Sequence, residues 1–596
     1  MNKLWVSKKT EGDIPKNLHP DPHIAKLLYQ RGIRNPEEAE RFFHPQIEHL
    51  HDPFLMKDMD KAVERLKRAV DEKERICVYG DYDVDGITAV ALFYLFLEKI
   101  VACTEDLGFF VPDRYLDGYG LSKRGVDYAY DNNVTLMVVL DCGIKANEEV
   151  LYAKEKGIDV IVCDHHLAEG EIPQAYAVLD PKREDCNYPC KDLSGCGVGF
   201  KLVSAYCLKY GLNLRQYAYP LLDLAAMSVA SDIVPILGEN RVLSYFGLML
   251  LNTHPRPGVQ ALFELANIKP FHTENATRTA PPARGCSQAR FFTRELTTND
   301  LVFSLGPRLN AAGRVQDGKN AVRLLLCKDE RSAREIARLI DVNNRERKNL
   351  DHLATEEALE QIKQDPEAET KSSTIVFKDS WNQGIIGIVA SRLIETYYRP
   401  TIVFTTTANA DKNTLVGSAR SVKNFNIYDA ITACSELLEH YGGHKYAAGL
   451  TIKAENLETF IRKFEQVVKE SLQGEEPIQE IEIDDELLFE EITPELVSAV
   501  KEFAPFGPLN PNPIFMSTHI KDDGGSRRLK NNHLKLSLFQ TKSRSYPING
   551  IAFQQGDAYE IIKEGHSFDI CYHLEENTFN GVTSIQLNVQ DIKTNF

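Results

Sequence analysis

No stretch of the 596-residue chain stays apolar for the length of a membrane span, and Met1-Asn2-Lys3-Leu4-Trp5-Val6 lacks the apolar core of a secretory signal. The expectation is a cytoplasmic protein without a membrane partner. Regular cysteine spacing is missing too. The 12 cysteines are scattered, and several, such as Cys77, Cys142 and Cys163, sit in or beside apolar runs, where a thiol behaves as a small hydrophobe; they read as reduced. Cys186, Cys190 and Cys196 do not show the two-residue spacing of common zinc sites. Positive charge is in deficit: 69 Lys and Arg against 86 Asp and Glu leave a net charge of −17. That argues against non-specific polyanion binding, which relies on positive potential, although a local basic groove can coexist with an acidic exterior. Apolar residues are not short. A hydrophobic share of 43% is ordinary for a globular protein, and the length predicts about four units.

Ile76-Cys77-Val78-Tyr79-Gly80 reads as a short strand that runs into three aspartates spaced by two, Asp81, Asp83 and Asp85, and then into an apolar helix. Carboxylates thus collect where a strand ends, the edge at which open α/β sheets bind ligands. Three like charges at that spacing call for a bound cation or for protonation, and oxygen ligands select hard ions such as Mg²⁺ or Mn²⁺. Taken alone, the same residues fit a solvated acidic turn or an acidic helix N-terminus. Two later runs decide between these readings. Val134–Leu140 and Ile158–Cys163 are near-continuous apolar segments, the mark of strands buried on both faces of a parallel sheet; they end in Asp141-Cys142-Gly143 and Asp164-His165-His166. Imidazoles and carboxylates delivered to one sheet edge are what a two-metal hydrolytic site requires.

Asp81-Tyr82-Asp83-Val84-Asp85-Gly86, Leu140-Asp141-Cys142-Gly143, Asp164-His165-His166 and Ala230-Ser231-Asp232 resemble the four ordered motifs of the DHH phosphoesterase superfamily, and in detail its RecJ branch. The resemblance implies an α/β chain: a parallel-sheet DHH domain joined by a long helix to a DHHA1 α/β domain, with a C-terminal OB-fold β-barrel. The limits expected are an N-terminal lead-in over 1–55, the DHH catalytic domain over 56–235, a helical region and linker helix over 236–365, a DHHA1 substrate-binding domain over 366–470 and the OB-fold nucleic-acid-binding domain over 471–596. It implies catalytic roles for Asp81, Asp83, Asp85, Asp141, Asp164, His165, His166 and Asp232. Asp83, Asp85, Asp141, His165 and Asp232 would hold two Mn²⁺ or Mg²⁺ ions, with Asp141 bridging and Asp164 orienting the imidazoles. Where some members carry a histidine ahead of the first aspartates, this chain has Tyr79.

Substrate contacts are expected further along. Arg114 and Tyr119, beside the strand Phe109–Val111, offer a phosphate grip and a base platform. Gly306-Pro307-Arg308-Leu309-Asn310-Ala311-Ala312-Gly313-Arg314 resembles another RecJ motif, with Arg308, Asn310 and Arg314 as backbone contacts; a salt-bridged loop fits the same residues. Asp329–Gln364, charged and free of Gly and Pro, predicts the linker helix. In the second α/β domain Ser418, Arg420, Gly442, Gly443 and His444 would bind phosphate oxygens, and Asn382 stands where many members have histidine. Gly195-Cys196-Gly197-Val198-Gly199 mimics a dinucleotide fingerprint but follows polar sequence rather than a strand, so it starts a helix instead. Residues 270–292 lack periodicity and predict a surface loop. After Glu480, alternating short segments separated by Pro- and Gly-containing turns predict a small barrel, with Arg527, Arg528, Lys530 and Lys535 as its basic residues.

The activity implied is metal-dependent 5′→3′ degradation of single-stranded DNA to 5′-mononucleotides, in repair and recombination, beside single-strand-binding protein and a RecQ-type helicase. The alternatives are a phosphodiesterase of short oligonucleotides or cyclic dinucleotides, against which residues 480–596 count, and a non-catalytic single-strand binder, against which the intact acids and histidines count.

Overall fold

The computed structural model describes residues 3–168, 170–271, 284–315, 318–407, 413–541, 546–579 and 582–594. Residues 272–283 of the expected 270–292 loop lie outside them. The chain forms two compact units, one from Asp52–Asp232 and Gly247–Gln479, the other from Lys3–His51, Ile233–Phe246 and Glu480–Phe596.

In the first unit, five parallel strands lie in the order Leu107–Phe110, Ile76–Gly80, Leu136–Leu140, Asp159–Cys163, Ala177–Leu179. The three central strands are apolar without alternation because both faces are covered. Cys77, Tyr79, Met137, Val139, Val160 and Val162 pack with helices Lys123–Asp131 and Asn147–Glu155. Helices Val84–Ile100, Gly195–Lys209 and Leu222–Ser231, almost entirely buried and packed on one another, serve the opposite face. From Ile76–Gly80 the chain moves first to one neighbouring strand and then back across to the other. The loops after Gly80 and Leu140 therefore flank the topological switch point, where a crevice opens at the strands' carboxyl ends.

Helix Glu330–Gln364 follows, capped by Asp329, whose side chain accepts from the Ser332 amide. With no Gly or Pro it runs for 35 residues, about 50 Å at 1.5 Å per residue. It packs on helices Gly306–Val315 and Ile386–Thr396. Beyond it a five-stranded sheet has the order Leu438–His444, Ala447–Lys453, Thr414–Arg420, Thr401–Thr406, Thr374–Phe377, antiparallel except for the last pair.

In the second unit, Phe515–Asp522, Phe568–Phe579, Val582–Thr594, Ile548–Ala552 and Leu534–Gln540 pair in succession, and Leu534–Gln540 pairs back onto Phe515–Asp522. The sheet is closed, which removes its edges. Lys3–His51 belongs to this unit: Leu4–Ser7 lies parallel to Glu480–Ile483, and Ile24, Leu27, Leu28 and Phe42 join the core with Leu496, Val500 and Phe503. Two arginines stitch its segments. Arg241, 2% exposed, donates to the carbonyls of Phe42, Glu502, Phe503, Ala504 and Pro505, with its guanidinium 3.9 Å from the Phe42 ring centroid. Arg31 donates to Asn510 Oδ1 and to the carbonyls of Leu27 and Pro511. The Ala504-Pro505-Phe506-Gly507 and Asn510-Pro511-Asn512-Pro513 turns are thus frames for buried guanidinium groups.

Candidate metal centre and phosphate path

Five acidic or imidazole groups converge at the switch point. His165 Nε2 lies 3.2 Å from Asp141 Oδ1, 3.6 Å from Asp232 Oδ2 and 3.9 Å from Asp85 Oδ2. Two sets present ligand atoms within 4.8 Å of one another: Asp141, His165, His166 and Asp85, His165, Asp232. The chain delivers them from four places: the first turn of Val84–Ile100, the ends of Leu136–Leu140 and Asp159–Cys163, and the C-cap of Leu222–Ser231. Asp141 adopts φ of 60°, a left-handed conformation uncommon outside glycine and tolerated best by Asp and Asn; strain of this kind concentrates at functional sites.

The electrostatics favour a bound cation. Burial lifts the carboxyls of Asp81 and Asp141 well above their usual range, with Asp83 adding at the first and Asp85 at the second. Burial, then Asp85, lifts Asp232 to about 8. Burial pushes His165 down to about 4. Both oxygens of Asp81 and both ring nitrogens of His165 are buried without a hydrogen-bond partner, a cost of about 1–3 kcal/mol per group if left so. Carboxylates with one imidazole are the donor set of a hard divalent ion, and a cation here would offset repulsion and orphaned atoms together. The residues fit Mn²⁺ or Mg²⁺.

Neighbouring groups are fixed more conventionally. Asp85 Oδ1 accepts from Cys196 N and Ser228 Oγ and its Oδ2 from Gly195 N, all at 2.7 Å, so the start of helix Gly195–Lys209 cradles it. A Cβ on Gly195 would fall 2.5 Å from Asp141 Cβ and Oδ1, so only glycine permits this approach. Asp83 caps helix Val84–Ile100, its Oδ1 accepting from the Asp85 and Gly86 amides. Asp164 accepts from the amides of Ile144, His165 and His166 and lies 2.7 Å from His166 Nδ1. Against the effect of burial, the bond between them holds Asp164 down at about 2 and His166 up at about 9. Tyr119 Oη meets His166 Nε2 at 3.0 Å. Tyr79 has its hydroxyl on the Gly120 carbonyl and its ring stacked on Phe110.

Arginines lie near the centre. Arg114 lies over the Tyr82 ring at 4.1 Å, with its Nε buried and unpartnered, and its charge favours ionised Asp81 and Asp83. Gly313 packs against Tyr82, and Arg314 donates to the Gly384 carbonyl. Burial lowers Arg314 to about 10, and the like charges of Arg114, Arg347 and Arg420 work in the same direction. In the second sheet Arg420, Ala447 and His444 lie in one cross-strand row and Ser418, Gly449 and Gly442 in the next. Residues paired across strands, or two apart along one, share a face, so Arg420, His444 and Ser418 surround a floor left bare by two glycines. The N-terminus of helix Ile386–Thr396 closes over it: a Cβ on Gly387 would meet Arg420 Nη2 at 2.7 Å and Ser418 Oγ at 2.9 Å. Guanidinium, hydroxyl and helix N-terminus are all groups from which an anion can accept hydrogen bonds.

Three family models match the chain in order: the DHH family N-terminal domain over residues 75–229, the DHHA1 domain over 371–470 and the RecJ OB domain over 483–591. The chain is 33% identical over 592 residues to the single-stranded-DNA-specific exonuclease RecJ of Bacillus subtilis (strain 168), covering 98% of this chain and 70% of that protein. It is 33% identical over 602 residues to RecJ of Escherichia coli (strain K12), covering 97% of each. The chain belongs to the RecJ family. A crystal structure of RecJ in complex with Mn²⁺ from Thermus thermophilus shares the fold, with a TM-score of 0.76, 25% identity, and 96% of this chain and 76% of that one covered.

Within this RecJ architecture, the residues singled out from sequence divide into groups. Asp85, Asp141, His165, His166 and Asp232 come together within reach of one ion or two. Asp83 stays outside both sets, one oxygen committed to its helix. The charges of Arg114 and Arg420 both act on Arg314, and Ser418 and His444 flank Arg420 on the second sheet. Arg308 lies on a helix, not a loop, with Nε on Asp341 at 3.1 Å and Nη1 on the Ser304 carbonyl; Asn310 is half-buried on the same helix. Gly442-Gly443-His444 ends an edge strand, and Gly443, at φ of 149°, would drive a Cβ to 2.4 Å from the Ala447 carbonyl. Asn382 Oδ1 accepts from the Gly384 amide, a turn-forming bond. Cys186, Cys190 and Cys196 form no metal-holding group among the described residues. Arg527 stands across from Lys535 on paired strands, while Arg528 donates to the Gly556 carbonyl. Sequence reasoning missed Gly195, Cys196 and Ser228, the cradle of Asp85. A helix-capping Ser just before the glycines, with its side chain on Gly197 N, was the available signal.

Proposed function

We propose that the protein is a metal-dependent exonuclease that degrades single-stranded DNA from its 5′ end to 5′-mononucleotides. The observation that carries this reading is the centre at the switch point, where Asp81 and His165 are buried with no hydrogen-bond partner beside three more carboxylates. Asp85, Asp141, His165 and Asp232, with the free oxygen of Asp83, would hold two Mn²⁺ or Mg²⁺ ions. When bound, such ions activate water and neutralise charge on the phosphoryl oxygens. The cradle of Gly195, Cys196 and Ser228 holds Asp85 in one orientation. Asp164 keeps His166 protonated, so His166 donates to a phosphoryl oxygen and steadies the charge that grows there. Tyr119 limits how the His166 ring turns. Arg114 and Arg314 draw the backbone away from the centre, and the pocket of Ser418, Arg420 and His444 takes the terminal phosphate, which fixes the polarity and the one-nucleotide step. The barrel supplies a further single-strand surface.

The setting we propose is DNA repair and recombination in the cytoplasm, beside a single-strand-binding protein and a RecQ-type helicase. That setting rests on family resemblance. Among the described residues no helix is long and apolar enough to cross a membrane.

The test uses a 3′-labelled, 5′-phosphorylated oligonucleotide, single-stranded and in blunt duplex, with Mn²⁺ or Mg²⁺. Stepwise shortening of the single strand from its 5′ end, weak on duplex, is expected. Metal-independent retention without shortening, or cleavage of very short oligomers alone, overturns the proposal.

A further inference from the structure

The helical segment Thr298–Val315, with one π-turn at Leu301–Leu305, turns a different surface to each side. Leu301, Leu305, Leu309, Ala311 and Ala312 are buried. A second side touches the elements of the metal centre. A Cβ on Gly306 would lie 3.3 Å from Ser231 Oγ, next to Asp232, and one on Gly313 would lie 2.9 Å from the carbonyl of Tyr82, between Asp81 and Asp83. These glycines are two turns apart on one face. The third side is open. It carries Phe303, Pro307, Asn310 and Arg314, at the spacing that keeps residues on one side of a helix, and each of them reaches solvent.

Packing gives Phe303 no reason to stand there. The residue is 74% exposed, while Leu301 and Leu305 of the same π-turn are 0% and 1% exposed. So large an apolar ring left in water forgoes the stabilisation that burial brings, and π-turns are frequent at functional sites. The turn is also held from its other side: Arg308 donates to the Ser304 carbonyl at 2.6 Å and is itself held by Asp341. A fixed turn therefore presents the ring.

The order of residues along the open side matches the path of the substrate. At one end Arg314 donates to the Gly384 carbonyl, just before helix Ile386–Thr396, whose Gly387 lies against Ser418 and Arg420. That end adjoins the pocket proposed for the 5′-terminal phosphate. Gly313 and Gly306 border the centre, where the first linkage is cut. Phe303 stands eleven residues before Arg314, about 16 Å along the helix axis, past the centre and away from the pocket. A strand with its 5′ end in the pocket brings downstream bases, and not its terminal one, to this ring. An aromatic face stacks on any base, which suits degradation without sequence preference.

We propose that Phe303 is a further substrate-binding residue, a platform for one base on the 3′ side of the scissile linkage, with Arg308 and Asp341 as its positioning residues. It holds the part of the strand that remains after each cut. This rests on the exonuclease reading above.

The test is a set of 5′-phosphorylated decamers, each with one base removed as an abasic site, titrated against the metal-free full-length protein by fluorescence anisotropy. In the wild type, removing the base that Phe303 holds, at a position beyond the first linkage, should weaken binding about tenfold. Phe303→Ala should weaken the intact decamer by a similar factor and lose sensitivity at that position alone, and Phe303→Trp should restore both. A folded Phe303→Ala protein with the affinity and pattern of the wild type overturns the proposal, and so does a loss of sensitivity confined to the terminal base. If Phe303→Ala does not fold, Phe303→Leu decides: weakened binding with a reduced penalty at one position supports it, and wild-type affinity with the wild-type pattern overturns it. A wild-type protein that shows the pattern yet leaves the strand intact on adding Mn²⁺ supports the Phe303 contact and overturns the nuclease reading. A wild-type protein that degrades the strand while Phe303→Ala changes nothing overturns the contact alone.

Discussion

Two regions bury charge to nearly the same depth and treat it in opposite ways. In the second unit, Arg241 is 2% exposed and makes bonds to five carbonyls. In the first, Asp81 is 1% exposed and has no hydrogen-bond partner on either oxygen. Burial alone does not distinguish a structural charge from a functional one; satisfaction does. A fully bonded guanidinium holds segments together, while a buried carboxylate without donors, beside others of its kind, favours positive charge nearby. Asp85 stands between these extremes, with three donors and a place in the cation site.

The comparison breaks most sharply at Asp141. Asp141→Asn keeps a residue that tolerates positive φ and removes a charge, so degradation of a labelled single strand should fall by about three orders of magnitude or more. The metal-free variant should melt no lower than the wild type, because like-charge repulsion is relieved. Mn²⁺ should raise the melting temperature of the wild type and not of the variant; a variant that melts far lower would make Asp141 structural. Arg241→Met should behave in the opposite way. Stranding several buried carbonyls should cost the second unit about 3–5 kcal/mol in urea unfolding, and Mn²⁺ should still stabilise the first unit. Gly195→Ala should lower activity about 10–100-fold by displacing Asp141 from its neighbours, with intact folding by circular dichroism.

The smallest effect concerns pH. His166 is raised to about 9 from an ordinary 6.5, so its pairing with Asp164 stabilises the metal-free fold fully below pH 6.5 and is lost as pH rises through about 9. A shallow fall in melting temperature over that window, absent in His166→Gln, is expected, damped by the solvent that reaches the ring. Asp164, held at about 2, gives the acid-side counterpart: its contribution is present above the ordinary carboxylate range and is lost as pH falls through about 2.

Much was legible beforehand because the information is local. Strands ending in Asp81, Asp141 and Asp164 showed themselves as apolar runs buried on both faces, and the spacing of two between Asp81, Asp83 and Asp85, which alone fits an acidic turn as well, gained its meaning from the two later strand ends. The long helix was readable from an absence of Gly and Pro. Even the wrong context for a dinucleotide fingerprint was visible at Gly195. Its actual purpose was not, because the 2.5 Å approach to Asp141 is made across 54 residues.

Sequence by itself determined the elements, their order and the chemistry carried at the strand ends, since period, charge spacing and helix breakers act within a few residues. Tertiary structure alone decided which of the like residues are free. Arg308 is held by Asp341 while Arg347 keeps an unmet donor, and Asp83 caps a helix while Asp81 bonds to nothing. The N-terminal 49 residues from Lys3 to His51 joined the unit that carries the barrel. Satisfaction of a buried polar group depends on what long-range packing brings within about 3 Å, and no local pattern encodes that.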